Sequence, residues 1–528
     1  MVSLRWLQLA MTRAKVCAAV SNPEEWSLAP RRIRGRSSRL AGSVVCRATL
    51  LLTLVGDARY PTLASDWHRF RGPNGGGVSE ATRLPVEFGT GKNMLWKTPL
   101  PPGHSSPVLA GDRLFVTGFE NESLATVAVS AQTGTVLWRR DVKRTGSAHY
   151  HANNNPASPS PVTDGFNVYV FFQEFGLISY TAEGKERWRL PLGPFRNYKG
   201  MAASPILACG LVVLACDQDA GSFLLAVDKD TGSVRWRTER AEITGNGHAT
   251  PAWYESKDGA QVIVLGSGQV AGYRLDSGIK VWWVRGLSIQ PKASPVIAAD
   301  ESGRVSVYIL APGSEGGTVA PVQPFADFLP TLDKNHDGKL TTEELKSFNQ
   351  ADADGDGTMS EREYVLFMSG GAIPSALIAI DPEGRGDLTD KGVRWRYGRG
   401  LPVVPSPILY RGVLYLLKAG GILTALDARS GSVLKQVRLR GALDNYFASP
   451  VAVEGRLYLV SQDGHVAVVR ASSKLEILAV NDMGEECFAT PAVAQGRLFV
   501  RTRKALHAFG HLQSAESKQT KLNKRSAP

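Results

Sequence analysis

Residues 333–344 read Asp-Lys-Asn-His-Asp-Gly-Lys-Leu-Thr-Thr-Glu-Glu, with oxygen-bearing side chains at positions 1, 3, 5 and 12 of the segment. This spacing matches the EF-hand calcium loop, which wraps about 6–8 oxygen ligands around one Ca²⁺ ion and turns sharply at a glycine. Position 7 contributes its backbone carbonyl, and the final glutamate binds through both carboxylate oxygens. The predicted ligands are Asp333, Asn335, Asp337, Lys339 (through its carbonyl) and Glu344, with Gly338 at the turn.

A second copy of this loop follows at residues 352–363, which read Asp-Ala-Asp-Gly-Asp-Gly-Thr-Met-Ser-Glu-Arg-Glu. Leu340 and Met359 hold the eighth position of their loops, where apolar side chains can join paired loops through a short β-bridge. The alternative is an acidic surface loop that binds nothing, and two full matches argue against it. The predicted ligands of the second loop are Asp352, Asp354, Asp356, Thr358 (through its carbonyl) and Glu363, with Gly357 at the turn.

Only the seven residues 345–351 separate the two loops, so one helix must serve both of them. We expect a short entering helix at 325–332 and a leaving helix at 361–368. So little apolar helical surface is unsuited to opening a hydrophobic groove when calcium binds. The pattern therefore favours structural calcium over a calcium sensor.

The rest of the chain is organised by a short Ser/Thr-Pro element that is followed by apolar strands and Gly-bearing turns. Six of the seven intervals between its eight copies measure 41–54 residues, and the fifth measures 112 because it contains both calcium loops. The prolines of the eight copies are Pro107, Pro161, Pro205, Pro251, Pro295, Pro407, Pro450 and Pro491.

Each unit predicts four antiparallel strands joined by tight turns, as in residues 449–482. A sheet this small cannot bury both faces alone, so the sheets must pack side by side around an axis. The repeats predict an all-β, eight-bladed β-propeller, with the calcium loops inserted between the second and third strands of the fifth blade. The eighth unit has three strands, and we expect residues 94–100 to supply its fourth and close the ring.

Four of the eight units also carry a glycine followed four residues later by a tryptophan, which we expect to pack between neighbouring sheets. The fullest copy, Ala226-Val-Asp-Lys-Asp-Thr-Gly-Ser-Val-Arg-Trp236, resembles the repeat of the pyrroloquinoline-quinone-type propellers. That superfamily includes quinoprotein alcohol dehydrogenases and a propeller lipoprotein of outer-membrane assembly. The segment Asp66-Trp-His-Arg-Phe-Arg-Gly-Pro73 is similar to the start of exported bacterial members. The resemblance implies the fold across residues 66–510 and leaves the activity open.

The turns that lead into the Ser/Thr-Pro elements should gather at one face of the propeller, and several of them are polar or basic. If they converge at the channel, they suit an anionic ligand such as a carboxylate-bearing quinone or a peptide terminus. The alternative is that they only satisfy turn backbone groups and water. The channel candidates for ligand binding are His104, His151, Lys199, His248, Lys292 and Tyr446.

The net charge of +12 is concentrated at the two ends of the chain, which argues against a nucleic-acid-binding body. Residues 1–60 carry seven of these charges and residues 511–528 carry three. Arginines between positions 31 and 39 precede an apolar run and then small residues at 62–65, an order typical of export signals. We expect a leader at 1–65, propeller segments at 66–311 and 375–510, the calcium insertion at 312–374 and a disordered basic tail at 511–528.

Two functions stay open for the mature chain, in which we expect no transmembrane segment, a monomeric state and a periplasmic or extracellular location. The first is a non-catalytic binding or scaffold propeller that holds calcium and engages a protein, a peptide or a small anionic ligand. The second is a dehydrogenase that depends on pyrroloquinoline quinone. For that enzyme the resemblance implies an adjacent Cys-Cys pair, an internal Glu/Asn/Asp calcium set and a catalytic Asp. The five cysteines include no adjacent pair and no catalytic residue can be assigned, so the first function is favoured.

Overall fold

The structure is a computed structural model, and its described part begins at Trp67. The predicted leader and nearly all of the predicted tail lie outside the described part, as does Asp354 of the second calcium loop. The described residues are 67–73, 75–146, 148–243, 245–300, 302–313, 323–341, 343–345, 352, 356–472 and 474–511.

Eight antiparallel sheets form the blades of a β-propeller, which confirms the predicted architecture. The first strand of each blade is innermost, and these first strands contact one another around the channel. The strands of blades 1 to 4 are Val108–Ala110, Arg113–Glu120, Ser123–Ser130 and Val136–Lys143; Val162–Thr163, Asn167–Phe172, Gly176–Thr181 and Glu186–Pro191; Ile206–Ala208, Leu211–Cys216, Phe223–Asp228 and Val234–Glu239; Ala252–Ser256, Gly259–Gly266, Gln269–Arg274 and Lys280–Arg285. Those of blades 5 to 8 are Val296–Ala299, Val305–Ala311, Ala376–Ile380 and Val393–Tyr397; Ile408–Tyr410, Val413–Lys418, Ile422–Asp427 and Val433–Arg438; Val451–Val453, Arg456–Val460, His465–Arg470 and Ile477–Asp482; Ala492–Ala494, Arg497–Arg501, Ala505–Phe509 and Met94–Pro99.

The ring closes as predicted, because the N-terminal strand Met94–Pro99 pairs antiparallel with Ala505–Phe509 as the outermost strand of blade 8. This pairing covers a sheet edge that would otherwise be exposed. Blade 4 gains a short fifth strand, Gly386–Asp387, which belongs to the long turn of blade 5 and pairs parallel with Trp282 and Trp283.

The blade tryptophans pack between neighbouring sheets, as the repeated glycine and tryptophan indicate. Trp188 of blade 2 lies under Gly232 of blade 3, where an added Cβ would stand only 2.7 Å from the indole ring. Its Nε1 donates a hydrogen bond of 3.0 Å to the carbonyl oxygen of Lys229 on the same neighbouring blade. The same contact recurs at Trp96, Trp138, Trp236 and Trp395. Trp282 differs: its Nε1 donates to Oε1 of Gln261 in its own blade, at 2.9 Å.

The insertion joins strands 2 and 3 of blade 5, which pair directly with each other through Val305–Ala311 and Ala376–Ile380. It contains helix α1 (Phe325–Leu332), as predicted, and helix α2 (Glu361–Ala372), which runs four residues past the predicted end at 368. The helix ends just before Ile373, whose helical conformation is disfavoured because Pro374 follows it.

The calcium loops are joined as predicted, because Leu340 pairs with Met359 in a two-residue antiparallel bridge. These two side chains form a small core with Leu345 and Tyr364. Phe325 of α1 packs against this core, with 5.3 Å between its ring centroid and that of Tyr364 in α2. The insertion therefore has a hydrophobic core of its own, built around the bridge between its loops.

The stem of the insertion is fixed to the propeller on the face where the chain crosses from blade 4 to blade 5. The Gly313 amide donates to Oγ of Ser375 at 2.7 Å, which ties the outgoing chain to the returning chain. Ser288, on the crossing turn itself, donates its hydroxyl to the carbonyl oxygen of Pro312. The insertion thus leaves the blade beside the turn that carries Gln290 and Lys292.

Candidate functional site

A cavity of about 520 Å³ opens on the face that carries the crossing turns. All six predicted channel candidates line it, although they come from six different turns. The lining residues are Phe70, His104, Ser106, His151, Asn153, Asn154, Ser158, Ser160, Lys199, Ala202, Ser204, His248, Thr250, Lys292, Val403, Val404, Pro405, Ser406, Lys418, Ala419, Asn445, Tyr446, Phe447, Ser449, Phe488 and Thr490. Whether this cavity binds a ligand stays a prediction.

One register, not predicted from the sequence, accounts for eight of the residues that line the cavity. The residue two positions before the Ser or Thr of each Ser/Thr-Pro element lines the cavity in all eight blades. Each element starts an innermost strand, so this position lies where the crossing turn meets the channel. The eight residues are His104, Ser158, Ala202, His248, Lys292, Val404, Phe447 and Phe488.

Hydrogen bonds between successive crossing turns hold these side chains in place. The His104 amide donates to the Ala157 carbonyl at 3.2 Å. The His248 amide donates to the Pro291 carbonyl at 2.8 Å. These bonds join neighbouring crossing turns, so this part of the cavity rim is connected and is not a set of free loops.

The Ser and Thr hydroxyls of the repeated elements form a second belt deeper in the channel. In seven of the eight steps around it, a backbone amide of one element donates to the side-chain oxygen of the next, at 2.9 to 3.0 Å. The remaining step, from Thr250 to Ser294, lacks this bond, and among the described residues the buried Ser294 Oγ has no partner. We call this belt the hydroxyl ring.

One glutamine arranges both lysines on the basic side of the cavity. Lys199 donates its Nζ to Oε1 of Gln290, and Lys292 donates its Nζ to the Gln290 carbonyl at 2.8 Å. Burial, and secondly the charge of Lys199, lower the pKa of Lys292 to about 8. Asp, Glu and Cys are absent from the described residues that line the cavity, so its charge is positive.

Two half-buried histidines of the rim stay neutral at physiological pH. Burial, followed by the charges of Lys292 and Lys199, lowers the pKa of His248 to about 3. Burial, followed by the charges of Arg501 and Arg503, also lowers the pKa of His104 to about 3. Within the described chain, His248 Nδ1 has no hydrogen-bond partner, so this ring nitrogen can exchange a hydrogen bond with a ligand.

The opposite side of the cavity is aromatic. The His104 ring stacks on Phe488, with 4.0 Å between ring centroids, and Phe447 lies 5.1 Å from Phe488. Tyr446 is buried and donates its hydroxyl to the Ala442 carbonyl at 2.6 Å, so it supports the rim. Neither phenylalanine was predicted, because an apolar residue in a turn does not by itself indicate a binding site.

The floor of the cavity comes from residues 67–78, which cross the channel. Trp67 pairs with Leu109 of blade 1, and Val78 pairs with Ala452 of blade 7. Between these ends Phe70 faces the cavity. The place of this segment in the channel was not predicted, because its sequence indicates only a resemblance to the start of exported propellers.

The first calcium loop is closed by hydrogen bonds to its first and last carboxylates. Asp333 is 6% exposed and accepts hydrogen bonds from the amides of Asp337 at 3.2 Å and Gly338 at 2.9 Å. Glu344 accepts from the amides of Lys334 and Thr341, both at 3.0 Å, so the carboxylate at the end of the loop faces its start. The two remaining predicted ligands lie on the same turn: Asn335 Nδ2 donates to Asp337 at 3.1 Å, as does the Lys339 amide at 2.9 Å.

The second calcium loop repeats these contacts at equivalent positions. Asp352 is 1% exposed and accepts from the Gly357 amide at 3.1 Å. Glu363 is 6% exposed and accepts from the Ser360 amide at 2.9 Å. The Thr358 amide donates to Asp356 at 2.8 Å.

The donor set of both loops consists of carboxylate, amide and carbonyl oxygens, the ligands that calcium prefers. Both turn glycines take the left-handed conformation that the loop requires, with φ of 79° at Gly338 and 90° at Gly357. Across the described positions, however, three or more His, Cys, Asp or Glu side chains are nowhere drawn together as a metal site. The loops therefore fit calcium by ligand chemistry and backbone path, and the metal assignment stays a prediction.

Comparisons with known proteins place the propeller in a family. The model of the outer membrane protein assembly factor BamB family matches residues 84–196, 123–356 and 377–520. An EF-hand family model matches residues 345–368, which contain the second calcium loop. None of the helices among the described residues is long and apolar enough to cross a membrane.

Individual relatives agree with this match. The outer membrane protein assembly factor BamB of Yersinia pestis is 21% identical over 390 residues, which cover 70% of this chain and 87% of that protein. The crystal structure of BamB from Moraxella catarrhalis superimposes with a TM-score of 0.50 at 12% identity and covers 79% of this chain and 99% of its own. A europium-containing methanol dehydrogenase shares the fold with a TM-score of 0.55 at 9% identity, over 85% of this chain and 99% of its own. Since the family model covers most of the propeller, the chain belongs to the family of the outer membrane protein assembly factor BamB.

Proposed function

We propose that this chain is an exported, non-catalytic binding or scaffold propeller whose two EF-hand loops hold calcium. The observation that carries the binding role is the cavity, on which turns from all eight blades converge. Membership of the BamB family supports this role, because the Yersinia pestis relative is named as an assembly factor. The partner is a protein, a peptide or a small anionic ligand at the channel face.

The two sides of the cavity define the chemistry of the ligand. Lys199 and Lys292 attract a negative group, and no carboxylate among the described lining residues competes with it. Phe447 and Phe488 offer apolar surface on the opposite side. The best fit is a carboxylate attached to an apolar or aromatic body, as in a peptide terminus.

A quinone-dependent dehydrogenase fits the cavity less well. For such an enzyme, the resemblance of the sequence to quinoprotein dehydrogenases implies a Cys-Cys pair, a calcium-binding Glu/Asn/Asp set inside the propeller and a catalytic Asp. The described lining contains no Cys, Asp or Glu. The likeness to methanol dehydrogenase, at 9% identity, concerns the fold alone. We therefore place the calcium in the EF-hand loops and not in the channel.

Calcium would have a structural role: it would stabilise the insertion that joins strands 2 and 3 of blade 5. Asp333, Asn335, Asp337, Lys339 and Glu344 would hold one ion, and Asp352, Asp354, Asp356, Thr358 and Glu363 a second. The bridge between Leu340 and Met359 already couples the two loops through a shared core, so constitutive binding suits the module better than sensing. An extracytoplasmic location, where calcium is abundant, agrees with the export proposed from the leader at 1–65.

The test is a calorimetric titration of the purified full-length protein with pyrroloquinoline quinone, used as an aromatic tricarboxylate probe. We expect binding that weakens as the pH rises past about 8, where Lys292 loses its proton. Lys292→Met should weaken it at pH 7, whereas Lys185→Met, at an exposed turn of blade 2, should not. Absence of binding would refute the anionic ligand. Alcohol-dependent dye reduction by the quinone-loaded, calcium-loaded protein would establish the dehydrogenase instead.

A further inference from the structure

Two arginines lie inside the channel on the segment that forms the cavity floor. Arg69 is 5% exposed and Arg71 is fully buried. Arg69 donates its Nη2 to the carbonyl oxygen of Pro251 in blade 4 at 2.7 Å, and Arg71 donates its Nη2 to that of Pro407 in blade 6 at 2.5 Å. Each of these prolines directly follows a residue of the hydroxyl ring. The two guanidinium groups therefore lie next to that ring, in the channel interior.

These guanidinium groups are only partly satisfied by the described residues. Arg69 Nε has no hydrogen-bond partner, and neither Nε nor Nη1 of Arg71 has one. The bonds that they do make go to neutral carbonyl oxygens. Several strong donors thus stand in the channel interior without an acceptor, which is costly for a buried charged group.

Among the described residues, no negative charge compensates the pair. Burial lowers the pKa of Arg69 to about 10, and burial together with the charge of Arg69 lowers the pKa of Arg71 to about 9. No carboxylate contributes to either shift, and both side chains remain charged near neutral pH. The two positive charges are near enough to repel each other.

Elsewhere in the propeller, a buried arginine is paired with a buried carboxylate. Arg240 and Asp217 are both almost fully buried, and Arg240 Nη1 donates to Asp217 Oδ1 at 2.6 Å. A buried charge without such a partner is costly, because the desolvation penalty of an isolated ion amounts to several kcal/mol. Arg69 and Arg71 have no equivalent among the described side chains.

We propose that a small inorganic anion of the chloride class binds in the channel interior between Arg69 and Arg71. The anion accepts hydrogen bonds from the unpartnered guanidinium nitrogens and offsets one of the two positive charges. The packing of the floor segment favours a monatomic ion, because the chain passes close over both groups. An added Cβ would stand 3.2 Å from Arg69 Nη2 at Gly75 and 3.6 Å from Arg71 Nη2 at Gly77.

This site is separate from the ligand cavity above it. Phe70 faces the cavity, whereas neither Arg69 nor Arg71 lines it. The anion is therefore a structural ion that fixes the floor segment, and it does not depend on the ligand that the cavity binds.

The direct test uses crystals of the full-length protein grown in sodium bromide, with diffraction data collected at the bromine absorption edge. The expected result is an anomalous peak within hydrogen-bonding distance of Arg69 Nε or of Arg71 Nε and Nη1. A water molecule there without anomalous signal overturns the proposal. This measurement needs no variant, so it stands even if the arginine variants fail to fold.

A solution test compares thermal unfolding in sodium chloride and sodium gluconate at equal ionic strength. Because only the folded state holds the anion, the midpoint should be at least about 2 °C higher in chloride and should rise with chloride concentration. Arg71→Met should abolish the difference, and Arg385→Met, at a side chain that is 74% exposed, should keep it. Equal midpoints for the unmodified protein in both salts would contradict the proposal.

Discussion

The backbone amide of Thr490 donates a hydrogen bond of 2.9 Å to Oγ of Ser106, which lies 384 residues earlier in the chain. This bond joins the Ser/Thr-Pro element of blade 8 to that of blade 1, so it closes the hydroxyl ring across the N- and C-terminal parts of the propeller. Met94–Pro99 closes the same junction at the outer edge of blade 8. The propeller is thus closed both near its axis and at its outer edge.

Ser106→Ala should destabilise the propeller, because it leaves the buried Thr490 amide without an acceptor. The expected loss is about 1–3 kcal/mol in the free energy of unfolding, measured by urea denaturation. Ser294→Ala is the matched control, since its Oγ has no partner among the described residues, and it should change stability by less than about 0.5 kcal/mol. Equal losses in the two variants would show that the hydroxyl ring contributes no stability.

Gly232→Ala should be more damaging than Gly210→Ala, although both glycines have left-handed backbone conformations, with φ of 77° and 81°. An added Cβ at Gly232 would stand 2.7 Å from the Trp188 ring, whereas at Gly210 it would meet nothing within 4 Å. Backbone strain alone costs about 1–2 kcal/mol, and forced overpacking adds about 1–3 kcal/mol. Denaturation midpoints measure the difference, and similar midpoints would argue against tight packing between blades 2 and 3.

Glu344→Gln should remove calcium from the first loop, because the twelfth position supplies a bidentate carboxylate. Titration calorimetry of the full-length protein should then find one binding site in place of two. Glu343→Gln removes the same charge from the neighbouring exposed position and should keep both sites. Two intact sites in the Glu344 variant would refute the ligand assignment of the first loop.

Acid should destabilise the propeller from about pH 6.5 downward, partly through His248. Its pKa is about 3 in the folded state and about 6.5 when unfolded, so between these values only the unfolded chain binds the proton. Stability therefore falls as the pH falls through this window. His248→Gln should reduce the loss between pH 7 and pH 5 by about 1–2 kcal/mol in urea titrations at each pH. An unchanged pH dependence would show that His248 is solvated or paired.

Much of the fold was predictable because each blade is specified locally. The Ser/Thr-Pro element, the turns and the strand pattern lie within 41–54 residues, and the one interval of 112 residues located the insertion. The bridge between Leu340 and Met359 was equally local. Two details escaped: helix α2 extends to Ala372, and Gly386–Asp387 adds a strand to blade 4, because both depend on how a long segment packs after it leaves its blade.

The cavity was predictable in part. Its polar members were named from their places in the crossing turns, but Phe447 and Phe488 were passed over, because an apolar residue in a turn does not by itself indicate a site. Their common register, two positions before the Ser or Thr of the element, is visible in the sequence once the channel face is known.

The sequence by itself determined the number of blades, the place of the calcium loops and the chemistry of their ligands, because these depend on spacing within one repeat or one loop. The tertiary structure alone decided that residues 67–78 cross the channel and bury Arg69 and Arg71 there. A charged side chain is ordinarily exposed, so no local pattern predicts its burial. That outcome depends on eight sheets closing around one axis, which brings together residues that are hundreds of positions apart in the chain.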